Sequence, residues 1–220
     1  MTFRSIYQHG FVRVAACTIN GSLADPMANA DAVLQTARRC DGEAAQLALF
    51  SELALSGYAI GDLLFQDALL DAVECAVETI VEASAKLQPL ILVGAPLRHG
   101  GRLYNTALAV HRGRLLGVVP KIHLPNYHEF YERRHFASGD GVTGAEIAVG
   151  RHVAPFGTEL LFAAEDVPGF VVHAEICEDF WVPVPPSAEA ALAVASFLTN
   201  LSASNITVGK GGTRRMLCQS

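Results

Sequence analysis

The sequence predicts an α/β fold, because short apolar runs with strand character are twice followed by a helical stretch, and because further such runs recur between turn-rich segments. Residues 11–17 (FVRVAAC) alternate apolar with small or polar side chains, as a strand does. Asp25 and Pro26 then open a helix through about Cys40, the aspartate as cap and the proline at the first helical position. Residues 47–50 (LALF) form a short buried strand that delivers Ser51 and Glu52, and the turn-rich Ser56-Gly57-Tyr58 leads to a long helix over 67–85. Residues 89–94 (PLILVG) are a third strand, and 103–111 with 114–119 read as a hairpin around Arg112-Gly113. The stretch 122–150 is dense in His, Tyr, Glu, Arg and Gly and has no clear period. Loops that long are functional or disordered, and Tyr127, Phe130, Tyr131 and Phe136 argue for the first. Residues 153–162 and 170–176 are further strands, Ser187 caps a helix through about Val194, and 197–201 is a last strand. Lys210-Gly211-Gly212-Thr213 reads as a turn.

Composition narrows the function classes. A chain of 220 residues that is 51% hydrophobic can fill the core of one domain, residues 1–220. The formal charge of −6 and the brevity of the arginine pairs leave no basic stripe, so nucleic acid is not an expected partner. The longest apolar stretch, about 190–201, is well short of the ~20 residues a membrane span requires. Arg4, Gln8 and His9 interrupt the opening where a signal peptide needs an apolar core, so a cytoplasmic location is expected. The five cysteines, 17, 40, 75, 177 and 218, are odd in number and form no CxxC, so free thiols are expected rather than disulfides or a metal site.

Three reactive side chains of different kinds stand at strand exits: Glu52, Lys121 and Cys177. In open α/β sheets, ligands bind outside the carboxyl ends of strands, where residues distant in sequence converge. A thiol needs a base or a neighbouring cation to act as nucleophile, and Glu52 and Lys121 could supply one each. Blander roles stand beside these. Cys177 could be a buried small hydrophobe, Glu52 a cap at a helix or turn start, and Lys121 a solvated lysine at the end of an edge hairpin. The context Glu175-Ile176-Cys177-Glu178-Asp179 is unusual for a core, and its three carboxylates would raise the thiol pKa unless a cation offsets them.

The three local sequences together resemble the catalytic segments of the nitrilase, or carbon-nitrogen hydrolase, superfamily: residues 50–58 (FSELALSGY), 119–125 (VPKIHLP) and 175–179 (EICED). Residues 7–15 (YQHGFVRVA) and 130–134 (FYERR) resemble more narrowly the amino-terminal glutaminase domains of the bacterial glutamine-dependent NAD+ synthetase family. The resemblance covers essentially the whole chain. It implies a nitrilase-like four-layer α-β-β-α sandwich with its C-terminal part missing, since the family's domain continues beyond Ser220. It also implies glutamine as substrate, with Glu52 as general base, Cys177 as nucleophile and Lys121 stabilising the oxyanion. Tyr58, Tyr127, Phe130, Glu132, Glu178 and Ser204 would bind the substrate, Glu132 being the superfamily's second glutamate or, on its residues alone, one member of a surface ion pair. No cofactor or metal is expected in this domain. ATP, Mg and deamido-NAD belong, by the resemblance, to an absent synthetase domain or subunit that would use the released ammonia. Homo-oligomers are the family habit. The rival readings are a stand-alone amidase, nitrilase or carbamoylase, and an inactive fragment acting as an assembly module.

Overall fold

The computed structural model describes residues 6–219. The reading of the opening as no signal peptide falls partly on residues 1–5, Arg4 among them, which lie outside the described residues, as does Ser220. Helix α1, Pro26–Gly42, starts as its sequence predicts: the Asp25 carboxylate accepts the Ala28 N–H at 3.1 Å and Pro26 occupies the first turn. It buries Ala30, Val33, Leu34, Ala37 and Cys40, a stripe at helical spacing, and α2, Asp67–Ser84, buries Leu69, Leu70, Val73, Ala76, Val77, Ile80 and Val81 in the same way.

Both helices lie on one face of a seven-stranded sheet in the order β1-β2-β3-β4-β5-β7-β6. β1 (Val14–Ala16), β2 (Leu47–Leu49) and β3 (Leu90–His99) are parallel. β3, β4 (Arg102–His111) and β5 (Arg114–Pro120) form an antiparallel meander, and β5 pairs in parallel with β7 (His152–Phe156), the partner of β6 (Ala145–Val149). A second sheet, β10-β9-β8, holds β8 (Leu161–Ala163), β9 (Val171–Ile176) and β10 (Phe197–Leu201). The sheets meet through Leu47, Leu90, Leu92, Ala107, Ala109 and Val119 on one side and Val172, Ala174, Ile176 and Leu201 on the other. Helix α3, Pro186–Leu192, packs on β9 and β10, so the layers follow one another in the α-β-β-α order expected from the family resemblance. No helix among the described residues is long and apolar enough to cross a membrane.

Four local expectations are corrected. The stretch 122–150 is not all loop, because β6 closes it; its alternation of burial is too short to stand out, and Gly144 and Gly150 bound it with positive φ. The run 153–162 is two strands in different sheets, broken at residues 157–160 where the chain crosses from one to the other. Ser187 does not cap α3: Pro185 precedes the helix, Ser187 lies within it, and the helix ends at Leu192 before Val194, whose φ of 83° is left-handed. Lys210-Gly211-Gly212-Thr213 is not a turn but the start of α4, Lys210–Leu217, entered from Gly209 at φ 83°. None of its residues is buried, so the apolar periodicity that betrays a helix is missing.

One glycine decides how closely the strands approach the future site. A Cβ on Gly94 in β3 would stand 2.3 Å from the Leu53 nitrogen, 2.6 Å from the Ser51 oxygen and 2.8 Å from the Glu52 carbonyl carbon. The segment carrying Glu52 therefore lies directly on the bare β3 backbone, where Leu55 N–H donates to the Gly94 carbonyl at 3.1 Å. Gly94→Ala should destabilise the protein by about 2 kcal/mol or more, since backbone rather than a flexible side chain must move. It should also displace Glu52; chemical denaturation and an activity assay on the same preparation check both.

Candidate active site

β2, β3 and β5 run in the same direction, so the chain just past β2 and just past β5 emerges at one edge of the large sheet. Glu52 and Lys121 are those residues. Cys177 follows β9 in the facing sheet and opens a 3-10 turn, Cys177–Trp181, with φ of 46°. A left-handed conformation at a residue with a Cβ costs of order 1–3 kcal/mol and persists only where the surroundings hold it. Here they do: the Asp179 carboxylate takes the Ile176 N–H at 3.1 Å and the His123 N–H at 2.7 Å, and Asn200 Nδ2 lies 3.4 Å from the Cys177 carbonyl. Asp179 thus ties the Cys177 turn to the segment that follows Lys121.

Lys121 is fully buried and its ammonium donates to Glu52 Oε1 at 2.6 Å and to Glu132 Oε1 at 2.7 Å. The solvated-lysine role is therefore excluded, and so is the surface ion pair for Glu132, which is 3% exposed; Arg134 pairs with Asp62 instead. Glu52 caps nothing. Besides Lys121 it accepts Asn105 Nδ2 at 2.8 Å on Oε1 and the Ala203 N–H at 2.9 Å on Oε2. Tyr58 donates to Glu132 Oε1 at 2.7 Å, and Glu132 Oε2 has no partner among the described residues.

The electrostatics follow from this packing. Burial works against a charged Lys121, but Glu52 and Glu132 outweigh it and hold the ammonium above the ordinary lysine range. Burial raises the Glu132 carboxyl, with the Glu52 charge adding to it against Lys121, and burial followed by Glu132 raises the Tyr58 phenol. The Cys177 thiol is pushed up to about 12, first by burial and then by Glu52, while Lys121 and a bond to Ser202 pull the other way. The three flanking carboxylates are not foremost among these causes. Glu175 is occupied by the Ser187 N–H and Asn200, Asp179 by two backbone donors, and Glu178 by Tyr127.

Five of the six expected substrate contacts fall in two groups, and Ser204 stands apart. Tyr58 and Glu132 bond to each other at the buried core of the site, and Phe130 meets Tyr58 and Tyr127 edge-on at centroid distances of 6.4 and 5.9 Å. Tyr127 and Glu178 form a half-open pair, the phenol 2.8 Å from both carboxylate oxygens. Ser204 lies on the loop after β10 and accepts Lys210 Nζ at 2.6 Å. Sequence reasoning missed Asn105, Ala203 and Lys210. An amide in the apolar run LYNTALAV is a visible signal for the first, whereas a backbone N–H and a residue taken for a turn offer none. A cleft of about 1060 Å³, lined by His123, Pro125, Tyr127, Arg133, Glu178 and Val182 among others, adjoins the site; none of Glu52, Lys121 and Cys177 lines it, and Tyr127 and Glu178 are its link to them. Among the described residues no group of His, Cys, Asp and Glu is arranged to hold a metal ion.

The carbon-nitrogen hydrolase family model matches residues 13–217. The chain is 60% identical over its full length to the glutamine-dependent NAD(+) synthetase of Mycobacterium tuberculosis and 56% identical to that of Mycobacterium leprae, spanning 32% of the length of each. Among solved structures, a glutamine-dependent NAD(+) synthetase from Cytophaga hutchinsonii superposes with a TM-score of 0.78 at 24% identity, covering 94% of this chain and 33% of that one. An amidase from Nesterenkonia sp. has a TM-score of 0.67 at 20% identity, covering 91% of this chain and 68% of that one.

Lys121→Met should leave two carboxylates buried without their cation and lower stability by about 3–5 kcal/mol at neutral pH, measured by urea unfolding. Asp179 gives a pH-dependent test. Burial raises its carboxyl from 3.8 to about 7, against the pull of two N–H donors. A raised acid contributes most to stability below its unfolded value and loses that contribution as pH climbs through the folded one. The thermal stability gap between the natural chain and Asp179→Asn should therefore narrow from pH 5 to pH 8; a constant gap contradicts the assignment.

Proposed function

The chain belongs to the carbon-nitrogen hydrolase family, and on that premise we propose that it is a glutamine amidohydrolase domain that releases ammonia through a Cys177 thioester. The observation that carries the reading is the buried Lys121 ammonium held between Glu52 and Glu132 beside a thiol in left-handed conformation. With its pKa pushed up to about 12, the resting thiol is protonated at neutral pH. Its proton passes to Glu52 as sulfur attacks the side-chain amide carbon of glutamine, so that negative charge builds on the amide oxygen rather than on sulfur. Lys121 spends two of its three N–H donors on Glu52 and Glu132 and has one left for that oxyanion, with the Glu178 backbone N–H beside it. Glu52 returns the proton to the departing nitrogen, ammonia leaves, and a thioester remains. Water, deprotonated by Glu52, attacks the thioester; glutamate leaves and the thiol is restored.

The head group of glutamine carries one charge of each sign, and the half-open rim offers a partner for both. Glu178 and Tyr127 suit the α-ammonium; Ser204, with the Lys210 ammonium bonded to it, suits the α-carboxylate. Phe130, packed against Tyr58, suits the methylenes. The relatives are named for NAD(+) synthesis; by the family resemblance seen in the sequence, the ammonia would amidate deamido-NAD in an ATP- and Mg-dependent synthetase domain or subunit.

The protein carrying this chain should form glutamate and ammonia from glutamine, and Cys177→Ala should lower that rate by about 10³-fold or more. Amides and nitriles without an amino-acid head group should be poor substrates. Comparable turnover of those compounds, or full glutamine hydrolysis by Cys177→Ala, would rule the reading out.

A further inference from the structure

Asn105 lies in β4, is completely buried and touches two charged members of the site, Glu52 and Lys121. Its side-chain NH2 donates to Glu52 Oε1 at 2.8 Å, and its backbone carbonyl accepts the Lys121 N–H at 2.9 Å. A carboxylate has about four acceptor positions, two on each oxygen. On Glu52, Oε1 is filled by Lys121 and Asn105, while Oε2 takes only the Ala203 N–H at 2.9 Å and keeps one position open. Asn105 Oδ1 has no partner among the described residues. The amide is therefore oriented by its donor end, because the reverse orientation would set two oxygens against each other.

We propose that Asn105 is a positioning residue that saturates Oε1 of Glu52 and so fixes Oε2 as the atom that takes the Cys177 proton, an inference that rests on the roles given to Glu52 and Cys177 above. The arrangement separates two tasks that one oxygen cannot perform together. Protonation of Oε1 would weaken its bond to Lys121 and let the ammonium drift when the oxyanion needs it. Protonation of Oε2 leaves the Lys121 bridge intact, and the Asn105 carbonyl keeps the lysine backbone in register with the base throughout the reaction.

The test uses the protein carrying this chain with Asn105→Ser, whose shorter side chain withdraws the donor from Glu52 Oε1, and Asn105→Asp, which keeps the shape but reverses the interaction once ionised. Thermal unfolding, kcat and KM for glutamine, and the pH profile of kcat/KM are measured for each, together with the pH dependence of Cys177 alkylation by iodoacetamide. Loss of the donor should lower kcat about 10- to 100-fold with KM within about twofold. A donor favours the ionised form of a carboxylate, so the acid limb of Asn105→Ser should move up by about one pH unit. Asn105→Asp should be active only in the narrow pH range where its carboxyl still donates while Glu52 is ionised, and lose activity as pH rises beyond it. Unshifted profiles in folded variants, matched changes in kcat and KM, or failure of both variants to fold would each overturn the proposal in favour of a purely structural residue. If the natural protein does not hydrolyse glutamine, the function above fails, but the alkylation profiles still decide the role of Asn105.

Discussion

Lys121 has no contact with water, and the rest of the site is arranged around that fact. An ammonium moved into a protein interior loses several kcal/mol of hydration, which only close, well-directed partners can offset. Glu52 and Glu132 are those partners, at 2.6 and 2.7 Å, and each brings further donors with it. Asn105 and Ala203 satisfy the first carboxylate and Tyr58 the second, so a single buried cation organises groups from β4, from the loop after β10 and from the long segment after β5. Replacing such a cluster with apolar side chains could give a stabler core.

The fold supplies the convergence at low cost. Two sheets packed face to face bring the end of β9 over the ends of β2 and β5, so the Cys177 thiol comes from one layer and Glu52 and Lys121 from the other. Each layer is braced separately, the large one by α1 and α2 and the small one by α3. The bare backbone at Gly94 lets the Glu52 segment settle directly on β3, and the Asp179 carboxylate links the Cys177 turn to the segment after Lys121. The resting state that results is a neutral thiol beside an ion cluster, with no thiolate stored ahead of the substrate.

Much of this was legible in the sequence because strands and strand exits are local events. LALF, PLILVG and VVHAEI announce themselves by composition, and Glu52, Lys121 and Cys177 each follow such a run. What could not be read locally was burial. Nothing in VVPKIH distinguishes a lysine under the sheet edge from one in solvent, and nothing in FYERR says that the glutamate turns inward while Arg134 pairs with Asp62. The misjudged elements fail for related reasons. β6 is too short for its alternation to register, the 153–162 run hides a change of sheet, and α4 has no buried side to give it a period.

The bond between the Ala203 N–H and Glu52 spans 151 residues of chain. During synthesis at roughly 5–20 residues per second, the carboxylate leaves the ribosome roughly 8–30 s before the amide that completes its shell. The first helices and parallel strands can dock in that interval with Glu52 still hydrated. Closure of the second sheet over it is the step that withdraws Glu52 from water and completes its bonding. The order of the chain thus keeps an unpaired charge out of the interior until its last partner has been made.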